Sequence, residues 1–251
     1  MTLFSDTIAW LAQQFASGEL WPRIAEHLFY TVISVLIAAA IAIPIGYYIG
    51  HTGRGRDVAV AISGAARALP SFGLILLLIS LVGVVQRPIA AFAAFVILAV
   101  PAILAGAYAG IQAIDRATID AARAMGMTEW QILWKVEAPL GLHLLLGGLR
   151  SGTLQVVATV TLAAFINLGG LGYDILQGIP LWRDEQILGA ALVVIALALL
   201  LDAVFGATTH LVDRAIPTGS TPGSSKSPSR PRKLRIPPVR WGAVVDPPTS
   251  R

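Results

Sequence analysis

Long apolar segments constrain this chain more than any other feature of its sequence. Hydrophobic residues make up 56% of the chain and charged residues 13%, whereas soluble domains carry about 25% charged residues. Five segments are long enough, at about 1.5 Å per helical residue, to cross a hydrocarbon core about 30 Å thick. The sequence therefore predicts an all-α integral membrane protein in which residues 23–216 hold about five transmembrane helices. These spans are predicted at residues 28–49, 58–85, 88–110, 142–165 and 187–211.

The segment before the first span, residues 1–22, is amphipathic. It lacks the basic start and the cleavage site of a signal peptide. Four apolar residues share one helical face, and Ser5 is placed to cap the start of the helix. We expect a short helix that either lies at the membrane surface or packs against the bundle. The apolar face consists of Phe4, Ile8, Leu11 and Phe15.

The segment after the last span, residues 217–251, is rich in proline, serine and arginine and shows no apolar period. Such a composition cannot bury enough apolar surface to fold, so it predicts a disordered basic tail. The tail is either solvated or in contact with anionic lipid through the basic residues between Arg230 and Arg235.

The distribution of basic residues predicts the orientation of the spans. Only Arg23, Arg87 and Arg183 flank one side, and the remaining loop and tail arginines and lysines fall on the other. The positive-inside rule places the richer side in the cytoplasm. With five spans, the N-terminus then lies outside and the C-terminus inside.

The polar segment at residues 115–139 interrupts otherwise apolar chain. A helix-forming stretch is followed by Gly126, where a left-handed residue commonly ends a helix. Thr128 and Gln131 have the spacing of a capping box that starts a second helix, and Pro139 is expected to end that helix. The pattern predicts two short helices on the cytoplasmic side.

This segment resembles the EAA loop of ABC importer permeases. That pattern is Glu-Ala-Ala, three residues, Gly, nine residues and Ile-x-Leu-Pro. The chain keeps this spacing, with Asp in place of Glu, Val in place of Ile and Ala in place of Leu. The resemblance implies that the loop docks onto a separate ABC ATPase subunit. The alternative is an amphipathic helix pair at the interface that has no partner. The residues matched to coupling positions are Asp120, Ala121, Ala122, Gly126 and Pro139.

The sequence offers no chemistry of its own to drive transport. It contains no cysteine, and it has no phosphate-binding Walker motif, metalloprotease motif or nucleophile elbow. We therefore expect no catalytic residue, no cofactor and no metal, and we expect ATP to be hydrolysed by the separate subunit. Nothing in the sequence indicates nucleic-acid binding.

Further motifs are similar to osmoprotectant permeases of glycine betaine, carnitine and choline importers. The resemblance implies a bacterial inner-membrane complex with a second, identical or paralogous permease subunit and an extracytoplasmic solute-binding protein that selects the quaternary amine. The alternatives are an ABC permease for another solute, a secondary transporter and a membrane scaffold. The matching segments are Leu69–Ser71, Val100–Ile103, Met125–Thr128, Leu149–Arg150 and Gly169–Gly172.

A polar stripe runs along the span predicted at 142–165. Ser151, Gln155 and Thr159 recur every fourth residue and share one face of an apolar helix. In lipid that face has to meet protein or water. The stripe lines a translocation path or forms interhelical hydrogen bonds. Gly148 and Gly152, one turn apart, predict close approach of another helix.

Three charged residues fall inside the predicted spans, namely Arg67, Arg150 and Asp202. Counted along their helices, all three lie about 13–15 Å from the cytoplasmic surface. An unpaired charge near the bilayer centre costs at least about 2.5–3.5 kcal/mol on insertion scales. We expect Asp202 to pair with Arg150 or Arg67. The alternative is that the arginines extend to the interface while Asp202 faces water.

Overall fold

The fold was analysed in a computed structural model, which describes residues 2–215; the tail predicted at 217–251 lies outside the described residues. The described chain consists of helices joined by short turns. In chain order the helices are α1 (Leu3–Ser17), α2 (Leu20–Thr52), α3 (Arg56–Ala68), α4 (Ser71–Val82), α5 (Arg87–Gln112), α6 (Arg116–Ala124), α7 (Glu129–Ile132), α8 (Ala138–Val160), α9 (Gly172–Gly178) and α10 (Asp184–Ala215).

Four helical stretches are long and apolar enough to cross a membrane, and a bent pair of helices supplies a fifth crossing if the two are counted together. The four stretches are Leu20–Thr52, Val84–Gln112, Glu129–Ile166 and Asp184–Arg214. They correspond to four of the five predicted spans and extend them at both ends.

The span predicted at 58–85 is not one continuous helix. It is divided into α3 and α4, whose axes differ by 94°. Pro70 has no N–H for a helical hydrogen bond, and it restricts the residue before it to extended conformations. Leu69 accordingly has φ −70° and ψ 131°. The turn at Leu69–Pro70 therefore brings a helix break into the interior of the predicted span.

Helix α5 lies at the centre of the bundle and packs against both α2 and α8. Glycines allow the backbones of α5 and α8 to touch. A methyl group built on Gly148 would lie 2.8 Å from the Cα atom of Gly106, and one built on Gly152 would lie 2.9 Å from the Ile103 side chain. The close approach predicted for Gly148 and Gly152 is confirmed, and α5 is the neighbouring helix.

Helix α1 packs against α10. Packing against the bundle was one of the two alternatives given for residues 1–22. Thr7 of α1 is buried, whereas Phe4, Ile8 and Phe15 remain exposed. The prediction that Ser5 caps the helix is wrong, because the N-cap residue is Thr2, three residues earlier, and the helix begins at Leu3. The Ser5 hydroxyl instead donates to the Thr2 carbonyl oxygen over 2.7 Å.

The prediction that Pro139 ends the second loop helix is also wrong. Helix α7 continues through a π-type turn at Leu133–Glu137 into α8, so residues Glu129–Ile166 form one helical stretch. Pro139 is the second residue of α8. A π-type turn changes the hydrogen-bond register, and a proline just after such a turn can be accommodated without ending the helix.

Candidate functional site

Loop segment 115–139 folds as the two short helices α6 and α7. The Asp115 carboxylate accepts a hydrogen bond from the Ala117 N–H over 3.0 Å and caps α6. Gly126 has φ +81°, a left-handed conformation that costs other residues about 1–2 kcal/mol. Thr128 and Gln131 form the predicted capping box at the start of α7. The local structure thus follows from the capping residues and the glycine.

The matched coupling residues divide between the two faces of the loop. Ala122 is buried together with Ile119 and Ile132, which holds α6 against α7. Asp120 and Ala121 are exposed. Met125 is 76% exposed. The loop therefore presents a free surface next to a small core of its own.

A network of charged side chains joins this loop to α2 and α8; we call it the loop-end network. His51, in the last turn of α2, places Nδ1 2.5 Å from the buried Glu137 carboxylate and Nε2 3.3 Å from Glu129. Each of the two ring nitrogens thus faces a carboxylate. Glu129 in turn accepts two hydrogen bonds from Arg123, at 2.8 and 3.1 Å. Arg123 also contacts Asp120 at 3.4 Å.

The loop-end network adds residues that sequence reasoning did not select. Glu137 falls within the loop motif. His51 could not be selected from the sequence, because its two carboxylate partners, Glu129 and Glu137, lie far along the chain. The hydrogen bond to Glu129 raises the pKa of the Arg123 guanidinium above its ordinary value. The network connects α6, α7, α2 and the start of α8.

Two residues of the predicted polar stripe line one cavity. Ser151 and Gln155 face a space of about 440 Å³ together with Arg67 and Ser71, next to the break between α3 and α4. Thr159 does not line it. That residue is buried, and its hydroxyl donates to the Gln155 carbonyl oxygen over 2.7 Å. The stripe thus separates into two cavity residues and one residue bonded within its own helix.

Two of the three charged residues predicted inside the spans form an ion pair. Arg150 of α8 and Asp202 of α10 form a two-point ion pair, with Nε–Oδ1 and Nη2–Oδ2 distances of 2.5 and 2.6 Å. This is one of the two pairings expected for Asp202. Arg67 does not take part; it lines the cavity described above. The Arg150–Asp202 pair lies on an exposed face of the described chain.

A second set of polar contacts, which we call the far-end tie, holds the opposite end of α2. Arg23 forms an ion pair with the buried Asp174 of α9. Glu26 accepts a hydrogen bond from the Gly170 N–H over 2.9 Å. His27 is buried and bonds through Nε2 to the Val157 carbonyl oxygen over 3.1 Å. The tie fixes the 167–178 segment onto α2.

The family model for binding-protein-dependent transport system inner membrane components matches residues 42–217. The chain is 32% identical over 199 residues to the glycine betaine/carnitine/choline transport system permease protein OpuCB of Bacillus subtilis (strain 168). That match covers 79% of this chain and 91% of the relative. This chain is also 32% identical to the carnitine transport permease protein OpuCB of Listeria monocytogenes, over 72% of this chain and 82% of the relative.

Among solved structures, the fold is similar to the MetNI methionine ABC transporter in an inward-facing conformation. The TM-score is 0.69 at 22% sequence identity, over 77% of this chain and 95% of the other. An amino acid ABC transporter matches with a TM-score of 0.58 at 17% identity, over 80% and 98% of the two chains. With its helical membrane fold and loop motif, the chain belongs to the binding-protein-dependent transport system inner membrane components, the permease subunits of ABC importers.

Proposed function

We propose that the chain is the permease subunit of an importer for quaternary-amine osmoprotectants such as glycine betaine, carnitine and choline. The support comes from relatives whose names give these solutes and from the loop and span motifs of the sequence. As a permease subunit, the chain provides the path through the inner membrane. A separate ATPase supplies the energy.

The observation that carries this proposal is the continuity of one helix. Residues Glu129–Ile166 run without a break from the loop into the membrane, and Ser151 and Gln155 of that stretch line the 440 Å³ cavity. A displacement of the loop therefore tilts the helix that borders the cavity. The loop-end network adds α2 to the same moving unit, because His51 contacts residues of both α7 and the π-type turn.

In this proposal the exposed side of loop 115–139 docks into a groove of the ATPase. Asp120, Ala121 and Met125 form the contact surface, and Ala122, Gly126 and Pro139 keep its shape. ATP binding brings two ATPases together, the two loops follow, and the attached spans rotate as rigid bodies to open the path on the other side.

A second permease subunit, identical or paralogous, completes the path. An ion pair that faced lipid at mid-membrane would be costly, so the exposed Arg150–Asp202 pair supports a position against the second subunit or a hydrated path. The loop lies in the cytoplasm, the N-terminus lies outside and the C-terminus lies inside. A solute-binding protein delivers its solute to the outer segments at residues 86–87 and 169–186.

Transport by the assembled complex tests this function. The chain is purified with its ATPase and binding protein, reconstituted into vesicles, and assayed for glycine betaine uptake and for solute-stimulated ATP hydrolysis. Gly126→Leu, which strains the left-handed turn, and Ala121→Glu, which adds a charge to the docking surface, are expected to abolish uptake but not membrane insertion. Gly126→Asn is the matched control, since asparagine tolerates this conformation. Normal uptake in both disruptive variants would contradict docking through the loop.

A further inference from the structure

Arg67 differs from Arg150, the other arginine inside the predicted spans. It is about 17 Å along α3 from Arg56, and within residues 2–215 no carboxylate forms an ion pair with it. Arg150, by contrast, is matched by Asp202. Arg67 is exposed, and it lines the cavity next to the break between α3 and α4. The position of Arg67 thus provides a binding partner for a negative group.

The cavity in front of Arg67 is large enough for a small solute and is lined by matching polar groups. Its volume of about 440 Å³ falls in the range of ligand sites. Two hydroxyls, from Ser71 and Ser151, and the Gln155 amide line it alongside the guanidinium. Hydroxyl, amide and guanidinium groups can all donate hydrogen bonds to a carboxylate.

The same lining is unsuited to a solute that carries only a positive charge. Quaternary ammonium groups are bound by the faces of aromatic rings or by acidic groups. Among the described residues that line the cavity, none is acidic or aromatic; besides the four polar residues they are Ala66, Leu69, Leu98 and Ala102. Arg67 also borders an apolar groove between α3 and α5, where the guanidinium finds no anion to bind.

We propose that Arg67, with Ser151 and Gln155, binds the carboxylate of a zwitterionic solute during its passage and so favours carboxylate-bearing solutes over purely cationic ones. The inference rests on the proposed function and adds a selectivity within it. Glycine betaine and carnitine carry both a quaternary ammonium group and a carboxylate, whereas choline has a hydroxyl in place of the carboxylate. The permease then discriminates between solutes that a binding protein delivers equally.

The test compares uptake of glycine betaine and choline by the reconstituted complex with one binding protein, whose affinities for both solutes are measured separately. A charge-assisted hydrogen bond contributes about 1.5–3 kcal/mol. Arg67→Gln is therefore expected to lower glycine betaine uptake relative to choline uptake by about ten- to hundredfold. Arg67→Lys keeps the charge and is expected to retain most of the preference. Arg56→Gln, at the other end of α3 and outside this cavity, serves as the control and should leave the ratio unchanged.

The outcomes separate this inference from the proposed function. A wild-type complex that shows no solute-dependent uptake at all would contradict the proposed function. A wild-type complex that transports both solutes, with an uptake ratio unchanged in Arg67→Gln, would overturn the carboxylate site and leave the proposed function intact. If Arg67→Gln does not assemble, the uptake ratio of glycine betaine to choline is measured in Arg67→Lys and Gln155→Leu instead. A lower ratio in Gln155→Leu alone supports the carboxylate site. An unchanged ratio in both variants contradicts it.

Discussion

The two ends of α2 are held by polar contacts that differ in how deeply they are buried. At the far end, Arg23 pairs with an Asp174 that is 1% exposed, and His27 has no exposed surface. At the loop end, burial falls off stepwise, from Glu137 at 5% exposed to Glu129 and Arg123, which are about half exposed. About 42 Å of one helix separates Arg23 from His51.

This difference in burial bears on how easily each set of contacts can rearrange. Buried charges are costly to leave unmatched, so the far-end tie holds its partners firmly while the helix packing persists. Exposed charge pairs are weak and screened by solvent, so the outer part of the loop-end network can rearrange when a partner docks. We infer that the far-end tie stabilises the fold and that the loop-end network adjusts the position of the loop.

The largest effect is expected from Asp174→Asn. This change removes the charge that matches Arg23, and breaking a buried ion pair costs about 3–5 kcal/mol; partial exposure of Arg23 places the expected loss near 3 kcal/mol. Denaturant unfolding of the solubilised protein measures it. Asp184→Asn is the control, since Asp184 lies at the same end and is exposed. Equal stability of the two variants would remove the structural role of the far-end tie.

An intermediate effect is expected from His51→Gln. Glutamine has one amide donor group in place of two ring nitrogens, so at least one of Glu137 and Glu129 loses its partner. Loss of the partner of the buried Glu137 costs about 1–3 kcal/mol. We also expect less solute transported per ATP hydrolysed, because α2 no longer follows the loop. The matched control is His143→Gln, whose ring bonds to Asp213 at an exposed position at the same end. A transport-to-hydrolysis ratio equal to that of the control would contradict the coupling role.

The smallest effect is expected from Arg123→Gln. Its contacts to Glu129 and Asp120 are exposed, so the unfolding midpoint should not change measurably. Docking of the ATPase should weaken modestly at low salt, and the difference from the unaltered chain should vanish at high salt as the charges are screened. A large, salt-independent loss of stability would show that this part of the network is structural as well.

The sequence predicted much of the local structure of this chain, because local structure depends on neighbouring residues. The spans follow from apolar length, the turn at Gly126 from a left-handed position and the start of α7 from the Thr128–Gln131 capping box. The continuation past Pro139 was missed, since a proline near a helix start and a proline after a helix end give similar local patterns. The 94° angle at Leu69–Pro70 depends on packing between helices, which the sequence pattern does not show.

Contacts between residues distant in the sequence could be predicted only where a physical constraint limited the possible partners. Depth and charge left Asp202 two partners, and the structure selects Arg150. His51 had no such restriction, because a single histidine in a basic loop is compatible with many surroundings. The far-end tie was equally hidden, since Arg23 and Asp174 are separated by most of the chain.

Site-specific labelling tests the central claim that loop 115–139 is a cytoplasmic docking surface. The chain has no native cysteine, so Met125→Cys and Val85→Cys, at positions 76% and 95% exposed, can each be probed alone with an impermeant thiol reagent. Our account predicts that Val85→Cys reacts in intact cells. Met125→Cys should react only after permeabilisation, and the assembled ATPase should protect it. Labelling of Met125→Cys in intact cells, or equal labelling with and without the ATPase, would contradict the account.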